Sequence, residues 1–174
     1  MKFKNSVIED EPVQGLSTFV IPTQVKDVIT ISGSMLGGML FSNNNKISSL
    51  TSSMLDKGTR NKSKHEINNQ LESIGAEISF VSSNRHINFT AHCLKSDLDT
   101  VVQLIAEQLR EAVFPENELD ILKKRIIANL EISKDDTKKQ ALINFIREIY
   151  PEGHYNYRNT IDQAIKNINL IKTD

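Results

Sequence analysis

Ser49-Leu50-Thr51-Ser52-Ser53-Met54-Leu55-Asp56-Lys57-Gly58-Thr59 is the stretch on which the reading of this chain turns. Ile47, Leu50 and Met54 fall at i, i+3 and i+7 with Leu55 beside them, so the segment predicts an amphipathic helix with one apolar stripe. Ser49, Ser52, Ser53 and Asp56 recur at i, i+3, i+4 and i+7, which gives a second face of three small hydroxyls and one carboxylate. Gly58 supplies the residue type that ends helices, because glycine enters the left-handed region without strain. One face belongs to the core, and the serine face carries the question of function.

The rest of the chain bounds that question. Its 174 residues suit one domain with a real core, and 6% aromatics without Trp make that core mostly aliphatic. A net charge of −1 with acids and bases interspersed gives no footprint for nucleic acid or an anionic membrane. The single Cys93 excludes an internal disulfide. Met1–Asn5 leads into acidic Glu9-Asp10-Glu11 rather than an apolar run, so no secretory signal is read. No apolar run reaches the ~18 residues of a membrane span. The compartment stays open, export of a longer parent to the cell envelope included.

Taken in order, residues 1–13 read as a leader or linker, and residues 14–174 as a single domain. Leu16–Ile21 is a strand closed by Pro22, and Val28–Leu36 a second one, broken by Gly37-Gly38. Ser63 with Glu66 forms a capping box for a helix lined by Ile67, Leu71 and Ile74 and ended by Gly75. A hairpin follows, with Ile78 and Phe80 on one arm and Ile87, Phe89, Ala91 and Cys93 on the return. Leu98, Val101, Val102, Ile105 and Leu109 mark a strong helix. Pro115 suits the first position of the next one, which carries Leu119, Leu122, Ile126 and Leu130. Leu142, Phe145, Ile146 and Ile149 line a further helix, and a weak one spans Ile161–Ile168. The ββαα-ββαα order implies an α+β domain, an antiparallel or mixed sheet with helices packed on one face. Closing strands are not visible in the pattern, so the chain reads as a piece of a longer parent.

The quoted stretch resembles the zinc-binding helix of the pitrilysin/insulinase (inverzincin) metallopeptidase family, whose H-x-x-E-H is followed closely by M-L-x-x-G-T. Met54-Leu55-Asp56-Lys57-Gly58-Thr59 matches the trailing part. The resemblance places Ser49 and Ser53 at the two zinc-binding histidines and Ser52 at the catalytic glutamate. Further matches are Leu16–Pro22 with G-L-x-x-x-x-x-P, Leu71–Ala76 with L-E-x-x-G-A, and Phe114–Leu119 with F-P-x-x-E-F. Pro151–Arg158 is similar to P-x-G-H-P-N-x-R, with Tyr155 in place of the proline. The family's third ligand, a glutamate on the helix after the F-P turn, then falls on Asn129. Glu131 is about 200° further around that helix and is a poor substitute.

Serine and asparagine replace every chemical position of the motif. Hydroxyls are poor zinc ligands beside imidazole or carboxylate, and serine is no base toward a metal-bound water. The resemblance therefore implies a degenerate, non-catalytic domain without a metal of its own, zinc belonging to a catalytic partner half. Its implied role is to complete a peptide-binding chamber beside that catalytic domain or subunit. The alternative is a structural assembly domain with no part in proteolysis. Tyr155, Tyr157 and Arg158 are the candidates for contact with a peptide, and an unpaired sheet edge leaves a homo-oligomer open.

Other chemistry-bearing residues read blandly. His86 and His92 share a strand face at a separation of roughly 20 Å, too far to hold one metal. His65 and His154 have no acid or thiol at ligand spacing, and no histidine or lysine base neighbours the serines. Gly37-Gly38 lacks the Lys-Ser/Thr of a phosphate loop.

Overall fold

The structure, a computed structural model, describes residues 7–42, 44–154 and 156–173. Val28–Leu36 (β3) is built of β-branched and small residues in strict alternation, with Ile29, Ile31 and Met35 turned inward and Val28, Thr30, Ser32 and Ser34 outward. It pairs antiparallel along its whole length with His86–Leu94 (β5), from Val28 opposite Leu94 to Leu36 opposite His86. Glu77–Ser82 (β4) pairs with the other edge of β5, giving the order β3-β5-β4. Ile87, Ala91 and Cys93 are buried on the inner face, as the alternation requires.

Ile8–Val13 (β1) pairs antiparallel with Leu16–Val20 (β2) in a separate two-stranded ribbon. Sequence reasoning places residues 1–13 in a leader or linker, yet Ile8–Val13 is a strand. All six of its residues are exposed, so no half-buried pattern announces it. Backbone pairing holds it instead, through a turn in which the Gly15 N–H donates to the Glu11 carboxylate at 2.9 Å.

The helices cover the inner face of the three-stranded sheet. Lys64–Ser73 (α2) starts at the expected capping box, with Ser63 and Glu66 bonded reciprocally. Leu98–Arg110 (α3) sets Val101 and Ile105 against Ala91 and Cys93, and Leu104 against Ile67 and Leu71 of α2. Asn45–Met54 (α1) packs Leu50 and Met54 on Leu119 and Leu122 of Glu116–Ile132 (α4), with Ile171 closing the cluster. Pro115 stands one residue ahead of α4, as its cap, rather than in its first turn. Each such fully buried aliphatic chain contributes about 1.5–3 kcal/mol.

Thr137–Ile149 (α5) forms where its periodicity predicts. Its stripe does not reach the core: Leu142, Phe145 and Ile149 are 56%, 61% and 53% exposed. Ile161–Asn169 (α6) is short but firmly seated. Thr160 and Gln163 form a second capping box, and Ile161, Ala164 and Ile168 are buried. The architecture is α+β, an antiparallel sheet with helices on one face.

Candidate functional site

α1 is gripped on two sides, and that decides what its serines do. Its N-cap Asn44 accepts from the Lys46 N–H at 3.1 Å and donates from Nδ2 to the Asn167 carbonyl of α6 at 3.0 Å. One stripe, Leu50 and Met54, enters the cluster with α4. A second buried stripe, Ser48, Ser52 and Leu55, lies roughly opposite, since consecutive residues are about 100° apart. Ser48 Oγ donates to the Gly37 carbonyl at 2.8 Å and meets Ser82 Oγ at 2.6 Å, which binds the helix to the ends of β3 and β4.

The four hydrophilic positions read as one face in the sequence therefore separate. Ser52 is buried and its hydroxyl bonds back to the Ser49 carbonyl at 3.0 Å. Ser49 is exposed, Ser53 half-buried, and Asp56 holds its neighbour Lys57 at 2.7 Å. Asn129 lies seven residues after Leu122 on the same side of α4, but it is exposed beyond the end of the packed cluster. Its carbonyl accepts from Ser133 Oγ at 2.8 Å. Glu131 pairs with Lys134 at 2.8 Å.

Two hydroxyls and a carboxamide do not fit a zinc ion, whose protein sites use imidazole, thiolate and carboxylate. Among the described residues no group of three or more His, Cys, Asp and Glu is placed to hold a metal. Three of the four histidines are engaged elsewhere. His92 Nδ1 meets Thr30 Oγ1 at 3.1 Å, His65 meets Asn69 at 3.1 Å, and His154 stacks on Tyr150 with ring centres 4.6 Å apart. Burial pushes the Cys93 thiol up, away from the thiolate a nucleophile needs.

The tail of the motif has a structural job. Gly58 takes φ +146°, and a Cβ there would be strained as well as close to Val113. Thr59 bridges to Ala112, and its hydroxyl donates to Glu107 of α3 at 2.6 Å. The hydrogen bond from the Lys62 ammonium, then that from Thr59, holds the Glu107 carboxyl below the usual carboxylate range. This fastens the exit of α1 to the end of α3. A cleft of about 500 Å³ borders the same loop, between Lys57, Arg60, Lys62, Lys64 and Glu118. Lys64 meets Glu118 at 2.9 Å, and Arg60 lies 3.3 Å from Glu111.

Of the residues suggested for peptide contact, Tyr155 lies outside the described residues. Tyr157 is half-buried, its hydroxyl accepting from Arg147 Nε at 3.2 Å, and Arg158 is exposed. An open groove of about 540 Å³ runs elsewhere, on the apolar side of α1, between Ile47, Leu50 and Met54, then Phe114 and Leu119, and the segment 170–173. Sequence reasoning missed that groove because its wall from 170–173 is joined to α1 only in three dimensions. It also missed Lys46, which shares a face with Ser49 and Ser53 at i, i+3 and i+7. Burial, then Arg158 and Lys139, pushes the Lys46 ammonium below its ordinary value.

Comparison with known proteins places this geometry. The family model of insulinase (peptidase family M16) matches residues 39–157, and the chain belongs to that family. The crystal structure of a peptidase M16 inactive domain from Pseudomonas fluorescens superposes with a TM-score of 0.79 at 18% identity, covering 93% of this chain and 42% of that one. Cytochrome b-c1 complex subunit 1, mitochondrial, of Mus musculus is 26% identical over 87 residues, 50% of this chain and 18% of the relative. An uncharacterised zinc protease of Streptomyces coelicolor is 23% identical over 83 residues, 48% of this chain and 18% of its own length. The chain thus spans under a fifth of these curated relatives. No helix among the described residues is long and apolar enough to cross a membrane.

Proposed function

We propose that this chain is a non-catalytic insulinase-type domain that forms part of a peptide-binding chamber beside a zinc-bearing catalytic half. The observation that carries the reading is the donor set on an otherwise intact frame. Met54–Thr59 keeps the family's pattern and fastens α1, while Ser49, Ser52, Ser53 and Asn129 offer neither ligand nor base. The fold shared with the peptidase M16 inactive domain from Pseudomonas fluorescens supports it. Zinc, in this reading, belongs to the partner half. Ser49, Ser53 and Asn129 mark the vacated positions in this reading, and Tyr157 and the exposed Arg158 are the side chains proposed to meet a peptide.

Affinity capture of the tagged chain from its own host, followed by mass spectrometry, tests the proposal. A co-purifying H-x-x-E-H subunit or half, with peptide hydrolysis that chelator removes, is the expected outcome. Capture of partners that all lack H-x-x-E-H would reject it. That result would favour a structural assembly domain, the second reading, which the similarity to a subunit of the cytochrome b-c1 complex supports.

A further inference from the structure

Leu142, Phe145 and Ile149 of α5 recur at i, i+3 and i+7, within about 60° of one another around the helix, and each leaves more than half of its surface open to solvent. Ile143 and Ile146 are half-buried, so the seat of α5 on its own chain uses other residues than the stripe. Single exposed apolar residues are ordinary on a protein surface, but a continuous line of large ones marks a place of contact.

The groove of about 540 Å³ on the apolar side of α1 has the matching form. One wall carries Ile47, Leu50 and Met54, again at i, i+3 and i+7, so wall and stripe each run about 10 Å along a helix axis. Phe114, Leu119 and Leu170 stand across from it, and Leu170 is 69% exposed. Phe114 holds φ +45° directly before Pro115, a conformation that local preference disfavours, so its packing on the α1–α4 cluster keeps the ring in the wall. Equal repeats let the side chains of one helix enter the gaps between those of another. Among the described residues, Lys172 is the one charged side chain lining the groove, and it is exposed. Glu148, exposed beside Ile149, brings the opposite charge, whereas Lys138 lies a turn beyond Leu142, outside the stripe. Stripe and groove are open in the same chain, so any solution of it holds them in equal number.

We propose that a second copy of this chain seats Leu142, Phe145 and Ile149 of its α5 in the groove between Ile47, Leu50, Met54 and Leu170, with its Glu148 beside Lys172. The contact joins two different patches, so each copy offers one helix and one groove. It is a helix-in-groove docking with i, i+3 and i+7 anchors. This inference does not rest on the chamber reading.

Sedimentation velocity on the full chain tests this in a Ser32→Lys background, where a cation on the exposed side of β3 blocks pairing through that sheet edge. The protein should associate reversibly as its concentration rises. Phe145→Glu and Leu170→Glu should each weaken the association about tenfold or more, the scale of losing a central apolar anchor. Both positions are exposed, so neither substitution opens the core, and circular dichroism checks that the variants fold. Mixed in equal amounts, the two variants should recover a 1:1 dimer that grows no further, because the intact helix of the Leu170→Glu copy enters the intact groove of the Phe145→Glu copy. Lys124→Gln, at an exposed position of α4, should change nothing. Association that either Glu variant retains in full, or a mixture that stays monomeric, would overturn the seat. A Ser32→Lys protein that is monomeric into the high micromolar range would overturn it as well and assign the groove to a different polypeptide.

Discussion

Glu107→Gln is the substitution that most directly tests how the exit of α1 is held. The carboxylate is only 14% exposed, accepts from Thr59 Oγ1 at 2.6 Å, and pairs with Lys62, whose side chain is 31% exposed. An amide of the same shape still fills the space and can still accept from Thr59, so packing is kept and only the charge is lost. Charge-assisted hydrogen bonds contribute about 1.5–3 kcal/mol against about 1 for neutral ones, so two weakened bonds cost about 2 kcal/mol. With a urea slope near ~2 kcal/mol per molar, the unfolding midpoint should fall by about 1 M at pH 7. The effect should also depend on pH with a definite sign. Hydrogen bonds from Lys62 and Thr59 lower the folded carboxyl below its ordinary value. Its stabilisation is therefore complete above the unfolded value of about 4.3 and is lost as the pH falls through the lower folded value. Urea curves for both proteins should differ at neutral pH and converge in acid. Equal midpoints at pH 7, or a gap that persists undiminished below the ordinary Glu range, would refute the account.

Further outcomes are expected. Gln108 is 1% exposed and neither amide atom meets a hydrogen-bond partner among the described residues, so Gln108→Met should stabilise the chain by about 1–3 kcal/mol in calorimetry. A loss of stability would show that the amide is satisfied. The purified protein should retain no stoichiometric zinc after dialysis, by elemental analysis. Ser49→His, Ser53→His and Asn129→Glu together should create zinc affinity measurable by titration calorimetry, weaker than a native site by about 10–100-fold because orienting partners are missing. A folded triple variant that binds nothing would remove the structural footing for the family assignment of those positions. Gly38→Ala should destabilise strongly in the same urea assay, since its Cβ would stand 2.5 Å from the backbone of Asn84 and Arg85. Because β3 is an uncharged edge strand, light scattering should report self-association that rises with concentration.

Sequence alone determined the elements whose causes are local. Val28–Leu36, the hairpin of β4 and β5, and the Ser63–Glu66 capping box follow from alternation and end chemistry within a few residues. The family's trailing motif was legible for the same reason, because Gly58 and Thr59 act at fixed offsets from Met54. The ribbon strand Ile8–Val13 was not, since all six of its residues are exposed and an acidic run interrupts the pattern. Tertiary structure decided which face of each amphipathic segment is satisfied. It bonded Ser48 to the end of the sheet, turned the buried Ser52 back onto its own helix and left Ser49 outside, although the four serines of α1 are chemically alike. It left the stripe of α5 uncovered although its periodicity equals that of α3. Periodicity reports what a helix can bury. Long-range packing chooses the partner, and only that choice turns a serine into a strut.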